Sequence, residues 1–233
     1  ATVIVEEHRP VPLFQHVAVG SGLHDLYADG EAGRLNPELE RQARDARQAE
    51  KLNAHRGGYR RRGSRGPRIP NRIDVIERLQ REDLLPVITF IFSRKGCDAA
   101  AEACVAGGLR LTTATEALEI RRVAEERCAH LPEEDLALLG FDSWLDMLSR
   151  GIAAHHAGML PTFKEVVEEL FQRGLIKAVF ATETLALGIN MPARSVVLEK
   201  LSKWNGETHA DITPGEYTQL TGRAGRRGID VEG

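Results

Sequence analysis

Cysteine is scarce in this sequence, with three residues in 233, and Cys97, Cys104 and Cys128 have neither CxxC nor Cys/His ligand spacing. Such a set predicts no zinc site and no disulfide framework. No apolar run approaches the roughly 18 residues that a membrane span needs, and the first residues show no secretory signal pattern. We therefore expect a soluble, cytoplasmic protein with no bound metal and no membrane partner.

Strong net charge is also lacking, since the formal net charge is -3, but the charge is unevenly distributed. Basic residues outnumber acidic ones between Arg41 and Arg68, whereas residues 116–146 are acidic. A hydrophobic content of 42% and a charged content of 28% are ordinary for a globular protein. Local basic charge, and not the average, decides whether phosphates can bind.

Glycine, arginine, aspartate and proline dominate residues 20–70, which we interpret as a polar and flexible insert apart from a short helix over 37–52. Its run of arginine and glycine at 56–66 has too little apolar surface to offset the entropy of ordering. Residues 1–19 are interpreted as an incoming strand or connection. The folded domain is predicted over residues 71–233.

Strands and helices alternate in that domain. Apolar or β-branched runs predict strands at 87–92, 151–156, 176–181 and 196–198. Asn71, Ser93 and Pro161 begin helices, two or three more helices fill 113–150, and a capping box of Thr213 and Glu216 opens a helix extending to about Arg226. This pattern predicts an α/β fold with a parallel sheet, helices on both faces, and ligands at the carboxyl ends of the strands.

The last predicted helix carries the strongest chemical signal. Gln219, Arg223 and Arg226 are spaced by four and three residues, which would place them on one helical face. Two guanidinium groups and a carboxamide form a fork suited to the terminal phosphate of a nucleotide. Gly222 and Gly225 each cost about 1 kcal/mol in a helix relative to alanine, which favours close approach of a ligand or domain. A solvated arginine face is the alternative.

Three further segments follow predicted strands and suit nucleic-acid backbone. The hydroxyls of Thr182 and Thr184 can hold a phosphate, as can Ser93 with Arg94, and the backbone near Gly158 can approach nucleic acid. An ordinary strand-turn-helix connection is the alternative for the threonine segment, and an ordinary helix cap explains Ser93 with Arg94 at least as well in isolation. In the segment that contains Thr182 and Thr184, Gly188 permits close approach to a nucleotide and Asn190 offers a donor and an acceptor.

A phosphate loop of the form GxxxxGK[ST] and an Asp-Glu magnesium pair are both missing from the sequence. Arg223 and Arg226 therefore suit a nucleotide phosphate that this sequence has no motif to bind. An arginine finger acts on a phosphate held by another domain, where its charge stabilises the transition state. We expect this chain to supply one half of a two-domain motor and to be inactive alone.

Together these segments resemble the C-terminal RecA-like domain of superfamily 2 helicases. Residues 92–95 (FSRK) resemble motif IV, residues 181–192 resemble motif V, and residues 219–226 match the QxxGRxGR pattern of motif VI. Other phrases are similar to the superkiller-like, exosome-assisting RNA helicases of the DExH type; they are HHAGMLP at 155–161, NMPA at 190–193, PGEY at 214–217 and GRAGRRG at 222–228.

The resemblance implies a role for each matched residue. Arg223 and Arg226 are the implied arginine fingers, with Gln219 beside them at the nucleotide. Gly188 and Asn190 border the ATP cleft, and the backbone of RNA is held by residues that include Ser93, Arg94 and Thr182.

The implied substrates are ATP with Mg²⁺, held mainly by a first motor domain, and single-stranded or partly duplex RNA. The implied partners are that first domain and an RNA-degrading exonuclease. Two alternatives remain open, a DNA helicase of the related branch and a non-catalytic RNA-binding platform.

Overall fold

A computed structural model describes residues 11–20, 22–28, 33–55, 70–186, 191–204 and 207–233. They divide into two compact units, one formed by Leu13–Val75 and the other by residues 11–12 together with 76–233.

The smaller unit contains a hairpin and a helix. Strands β1 (His16–Val19) and β2 (Gly22–Asp25) pair antiparallel, and α1 spans Pro37–His55. Asn36 begins α1, because its side chain accepts the backbone N–H of Glu38 at 3.0 Å and its amide donates to the carbonyl of Asp25 at 3.0 Å.

This unit contains two elements of the segment 20–70. Helix α1 was expected over 37–52 and spans Pro37–His55, whereas strand β2 was not expected. Strand β2 has one apolar side chain, Leu23, so its order depends on pairing with β1 and not on a local pattern. The flexibility of the rest of the insert stays a prediction. The arginine-glycine run at 56–66 lies outside the described residues.

The chain then continues through one parallel sheet and its helices. The elements are α2 (Arg72–Arg81), β3 (Val87–Phe90), α3 (Arg94–Ala106), α4 (Ala114–Cys128), α5 (Glu133–Leu138), α6 (Phe141–Ser149), β4 (Ile152–His155), α7 (Pro161–Gln172), β5 (Ala178–Ala181), a 3₁₀ helix (Glu183–Ala186), β6 (Ser195–Leu198), β7 (Ser202–Trp204), β8 (His209–Asp211) and α8 (Pro214–Thr221).

The sheet has the order β4-β5-β3-β6, and every neighbouring pair is parallel. All four residues of β3, β4 and β5 are buried. Since successive side chains point to opposite faces, both faces of these strands are covered. Phe90 lies opposite both Ala181 and Leu198, so the strands end together at one edge. The predicted α/β fold with a helix-flanked parallel sheet is confirmed.

Amphipathic helices cover the two faces of this sheet. The apolar face of α7 places Phe163, Val166 and Leu170 in the core, where each side chain contributes about 1.5–3 kcal/mol by burial. The predicted starts of three helices are correct, because Ser93 caps α3, Pro161 begins α7, and Asn71 accepts the backbone N–H of Ile73 at the start of α2.

The last helix is shorter than its sequence predicts. Its start is as expected, because Thr213 and Glu216 form a reciprocal capping box. The extension to about Arg226 is wrong, since α8 ends at Thr221. Beyond it the chain pairs with Ala193, whose N–H donates to the carbonyl of Arg223 at 2.9 Å and whose carbonyl accepts the N–H of Gly225 at 2.8 Å. These bonds replace the helical ones.

Candidate functional site

A groove lies where the strands end. It is lined by Phe92, Ser93, Arg94, Ala157, Thr182, Glu183, Thr184, Lys203 and Trp204, and we call it the strand-end groove. The structure therefore brings together four of the five residues predicted to bind nucleic acid, from segments more than 80 residues apart in sequence.

Ser93 and Arg94 follow β3. The Ser93 hydroxyl accepts the backbone N–H of Gly96 at 3.2 Å, as a helix cap does, and a hydroxyl that accepts one bond can still donate another. Arg94 is exposed at the first turn of α3. A helix N-terminus and a guanidinium group are both favourable for a phosphate.

Thr182 and Thr184 follow β5. Their hydroxyl oxygens are 2.9 Å apart, and Thr182 is buried whereas Thr184 is exposed. The backbone N–H of Thr182 donates to the carbonyl of His155 at 3.3 Å, which ties this segment to the end of β4. The two hydroxyls therefore occupy fixed positions in the groove.

The histidine pair at the end of β4 is structural. His156 accepts the backbone N–H of Gly158 at its Nδ1 atom, 3.1 Å away, so its proton lies on Nε2 and is donated to Asp98 at 2.9 Å. His155 pairs with Glu168 at 2.8 Å, and burial lowers the pKa of the His155 imidazole. No group of three or more His, Cys, Asp or Glu side chains within the described ranges could hold a metal ion.

Gly158, the fifth predicted nucleic-acid contact, lies beside Arg94. A Cβ atom at Gly158 would be 3.4 Å from the Cδ atom of Arg94 and 3.1 Å from Nδ1 of His156. A larger residue here would crowd the guanidinium side chain. Gly158 therefore borders the strand-end groove through Arg94.

Lys203 and Trp204 complete the groove and have no local sequence signal. Both are on β7 of a short hairpin that follows the sheet. The ammonium group of Lys203 lies 2.6 Å from carboxylate oxygens of both Glu183 and Glu216, so it joins the 3₁₀ helix to the start of α8. Trp204 is 57% exposed, and its ring meets the ring of His209 at a centroid distance of 5.4 Å.

This lysine bridge predicts an acid sensitivity. The hydrogen bond from Lys203, assisted by Thr213, lowers the pKa of Glu216 from 4.5 to about 2. A carboxyl group with a lowered folded pKa contributes its full stabilisation above the unfolded value and loses it as the pH falls through the folded value. The loss therefore falls between pH 4.5 and about 2.

We expect the melting temperature of Glu216→Gln, followed by circular dichroism, to fall less steeply over this pH range than that of the wild-type chain. Glu125→Gln, at an exposed position of α4, is the matched control and should follow the wild-type curve. Equal slopes for wild type and Glu216→Gln would contradict the assignment.

The arginines predicted to act on a nucleotide lie after α8 and not on its face. Arg223 donates from Nη2 to the carbonyl of Ala186, at the end of the 3₁₀ helix. Gln219 is exposed on the last turn of α8. Gly222 closes that helix with a φ of -59°, so no left-handed conformation requires it.

Gly188 and Asn190 lie outside the described residues. The chain on either side of them is described, and it lies beside residues 223–226, which we call the arginine segment. Ala186 contacts Arg223, and Ala193 pairs with Ala224. The segments predicted to be motifs V and VI are therefore neighbours in the structure.

Arg226 is held within its own segment. Its Nε and Nη2 atoms donate to the two carboxylate oxygens of Asp230 at 2.8 and 2.7 Å. The Asp230 side chain is 1% exposed and that of Arg226 is 22% exposed. Asp230 was not among the site residues predicted from the sequence; its spacing of four residues from Arg226 was the available signal.

Comparison with known proteins agrees with this geometry. The family model "Helicase conserved C-terminal domain" matches residues 134–228, which include the groove residues after β5, those on β7, and the arginine segment. The human Superkiller complex protein 2 is 45% identical over 161 residues, covering 69% of this chain and 13% of that protein. The chain belongs to the superkiller-like helicases of superfamily 2.

Two further relatives of this helicase domain align over nearly its whole length. A "Probable helicase HelY" of Mycobacterium tuberculosis is 58% identical over 240 residues, covering 100% of this chain and 26% of that protein. The mouse "Exosome RNA helicase MTR4" is 38% identical over 238 residues, covering 99% of this chain and 22% of that protein. The helicase domain thus spans about a quarter of the length of these two relatives.

No helix in the described part of the helicase domain is long and apolar enough to cross a membrane.

Proposed function

We propose that this chain is the second motor domain of an ATP-dependent RNA helicase that translocates on RNA and unwinds it. The strand-end groove holds the RNA backbone, and Arg223 and Arg226 are the fingers that act on ATP bound by a first motor domain. One observation carries the proposal. A single segment, residues 182–193, begins in the groove and ends paired with the arginine segment.

The chemistry of the groove suits a backbone better than a base sequence. Its polar groups include the hydroxyls of Ser93, Thr182 and Thr184 and the guanidinium of Arg94, which bind phosphate and sugar oxygens. The exposed face of Trp204 offers a surface for a base, and stacking is tolerant of sequence. A motor that moves along RNA must bind many different base sequences, and these contacts allow it to do so.

The arginine segment suits the terminal phosphate of ATP. Arginine has five N–H donors in a rigid fork, and Asp230 uses two of those of Arg226. The first domain holds most of ATP and Mg²⁺ in this proposal. Arg226 and Arg223 complement the negative charge of the ATP phosphates. Gln219, Gly188, Asn190 and Gly222 border the same cleft in this proposal.

The three cysteines lack the spacing of a disulfide framework, which suits a reducing compartment, and we propose the cytoplasm. We also propose an RNA-degrading exonuclease as partner. Support comes from two relatives, the human Superkiller complex protein 2 and the mouse Exosome RNA helicase MTR4, whose names include these assemblies.

ATP hydrolysis by the polypeptide that carries both motor domains tests this function. We expect single-stranded RNA to stimulate turnover more strongly than single-stranded DNA of the same sequence, and we expect the 233-residue chain alone to hydrolyse no ATP. Equal stimulation by DNA would favour the DNA-helicase alternative. Binding of RNA without any hydrolysis by the two-domain form would favour the non-catalytic platform.

Arg94→Ala in the 233-residue chain tests the groove separately. Each phosphate contact to a single strand contributes a slope of about -0.7 in log affinity against log salt. Arg94→Ala should therefore weaken binding of single-stranded RNA at all sequences and make this slope shallower by about 0.7–1. The measurement is fluorescence anisotropy of a labelled oligonucleotide at several salt concentrations.

Lys95→Ala is the matched control, because Lys95 is the next cation on α3 and is exposed but does not line the groove. We expect its salt slope to stay close to that of the wild-type chain. If the two variants have the same slope, Arg94 has no special role in the groove.

A further inference from the structure

Arg226 and Asp230 form a closed five-residue turn with a carboxylate at its centre. The backbone N–H of Arg226 donates to Oδ2 of Asp230 at 2.8 Å, and the backbone N–H of Asp230 donates to the Arg226 carbonyl at 2.9 Å. The side-chain pair adds two more hydrogen bonds, from Nε and Nη2 of Arg226. One carboxylate therefore fixes both the backbone and the guanidinium plane of Arg226.

The contact with Asp230 uses one edge of the Arg226 guanidinium group and leaves the other edge available to a ligand. Nε and one N–H of Nη2 point to Asp230, so both N–H groups of Nη1 and the second N–H of Nη2 remain. One N–H of Nη1 and the remaining N–H of Nη2 form a second fork, which matches the oxygens of a phosphoryl group. The contact with Asp230 therefore fixes the plane of the guanidinium group while leaving donors for a phosphate.

Charge keeps the pair intact. The hydrogen bond from Arg226 lowers the pKa of Asp230, with a smaller contribution from the nearby Arg194, and the same bond raises the pKa of Arg226. Separation of the pair would leave a carboxylate of 1% exposure without its cationic partner. Asp230 therefore acts as a fixed support and not as a latch that releases the arginine.

We propose that Asp230 is the positioning residue of the Arg226 finger. This inference rests on the proposed function, because it takes Arg226 as a finger that acts on ATP. Asp230 itself contacts neither ATP nor RNA in this proposal. Its effect is exerted entirely through Arg226. A group that acts only through another has no further effect once that other group is removed.

A double-mutant cycle on kcat tests the inference, using the polypeptide with both motor domains, saturating RNA, and the variants Asp230→Asn, Arg226→Ala and the double variant. Supporting groups of this kind typically alter activity by about 10–100-fold when replaced. We expect Asp230→Asn to lower kcat by about that factor with little change in KM for ATP. In the Arg226→Ala background the same substitution should change kcat by less than about two-fold.

Asp146→Asn is the matched control, because Asp146 pairs with Arg150 at the same spacing of four residues outside the site. It should leave kcat unchanged. Thermal melting of each variant separates folding from function, and added methylguanidinium gives a second readout. We expect this ion to restore turnover to Arg226→Ala but not to the double variant, which lacks the carboxylate that binds it.

An equal loss of kcat from Asp230→Asn in the wild-type and Arg226→Ala backgrounds would overturn the positioning role and leave the proposed function intact. Full activity of Asp230→Asn would do the same. Full activity of Arg226→Ala would overturn the finger assignment itself, and the inference with it.

Discussion

Arg226→Ala in the polypeptide that carries both motor domains is expected to lower RNA-stimulated ATP turnover by about 10³-fold or more. Alanine removes the guanidinium donors that stabilise charge on the transferred phosphoryl group, and with them the contact that orients Arg226 on Asp230. RNA affinity should be nearly unchanged, because Arg226 does not line the strand-end groove. Steady-state ATPase and RNA anisotropy assays measure the two quantities.

Arg227→Ala is the control for this prediction. Arg227 is the next residue, carries the same charge and is exposed, so its removal alters net charge equally without touching the Asp230 contact. We expect turnover within about three-fold of the wild type, as is usual for an exposed position away from a site. Unchanged turnover in Arg226→Ala would refute the finger assignment.

Gly225→Ala is expected to lower the free energy of unfolding of the chain by about 2–5 kcal/mol, the sum of a left-handed backbone cost and a steric cost. Gly225 has a φ of +80°, and an added Cβ atom would lie 2.7 Å from the Cγ1 atom of Val11. Because the N–H of Gly225 also bonds to Ala193, the strain would disturb the junction between motifs V and VI. Urea unfolding followed by circular dichroism measures the change.

Gly228→Ala separates the two costs. Gly228 has a similar φ of +78°, but an added Cβ atom there would meet nothing within 4 Å. It should therefore show only the left-handed penalty of about 1–2 kcal/mol. Val11→Ala combined with Gly225→Ala should recover part of the loss of Gly225→Ala. Equal destabilisation of the two glycine variants would exclude the steric contact with Val11.

Much of the larger unit was predictable because its signals are local. The strand at 87–92 was expected from a run of apolar and β-branched residues, and β3 with its four buried residues lies inside it. Ser93, Pro161 and Thr213 marked helix starts that the structure contains. Capping and burial patterns act over a few residues, so a short window of sequence carries them.

The end of α8 was not predictable from the same kind of signal. Residues 222–226 continue the helical spacing of polar side chains, yet the chain leaves the helix to pair with Ala193, about 30 residues earlier. Strand β1 lies within the incoming strand or connection expected at 1–19, but β2 and its pairing with β1 were missed, because the sequence of one short strand does not specify its partner. In both places tertiary or cross-strand hydrogen bonds outweighed local propensity.

The sequence by itself determined the fold class, the helix starts, the family, and which residue types carry the chemistry, because these depend on composition and short-range spacing. Only the tertiary structure decided where that chemistry is assembled. It joined Lys203 and Trp204 to Ser93 and Thr182 in one groove, and it turned Arg226 onto Asp230 instead of onto a helix face. Such contacts arise from strand register and burial, which no local window of sequence contains.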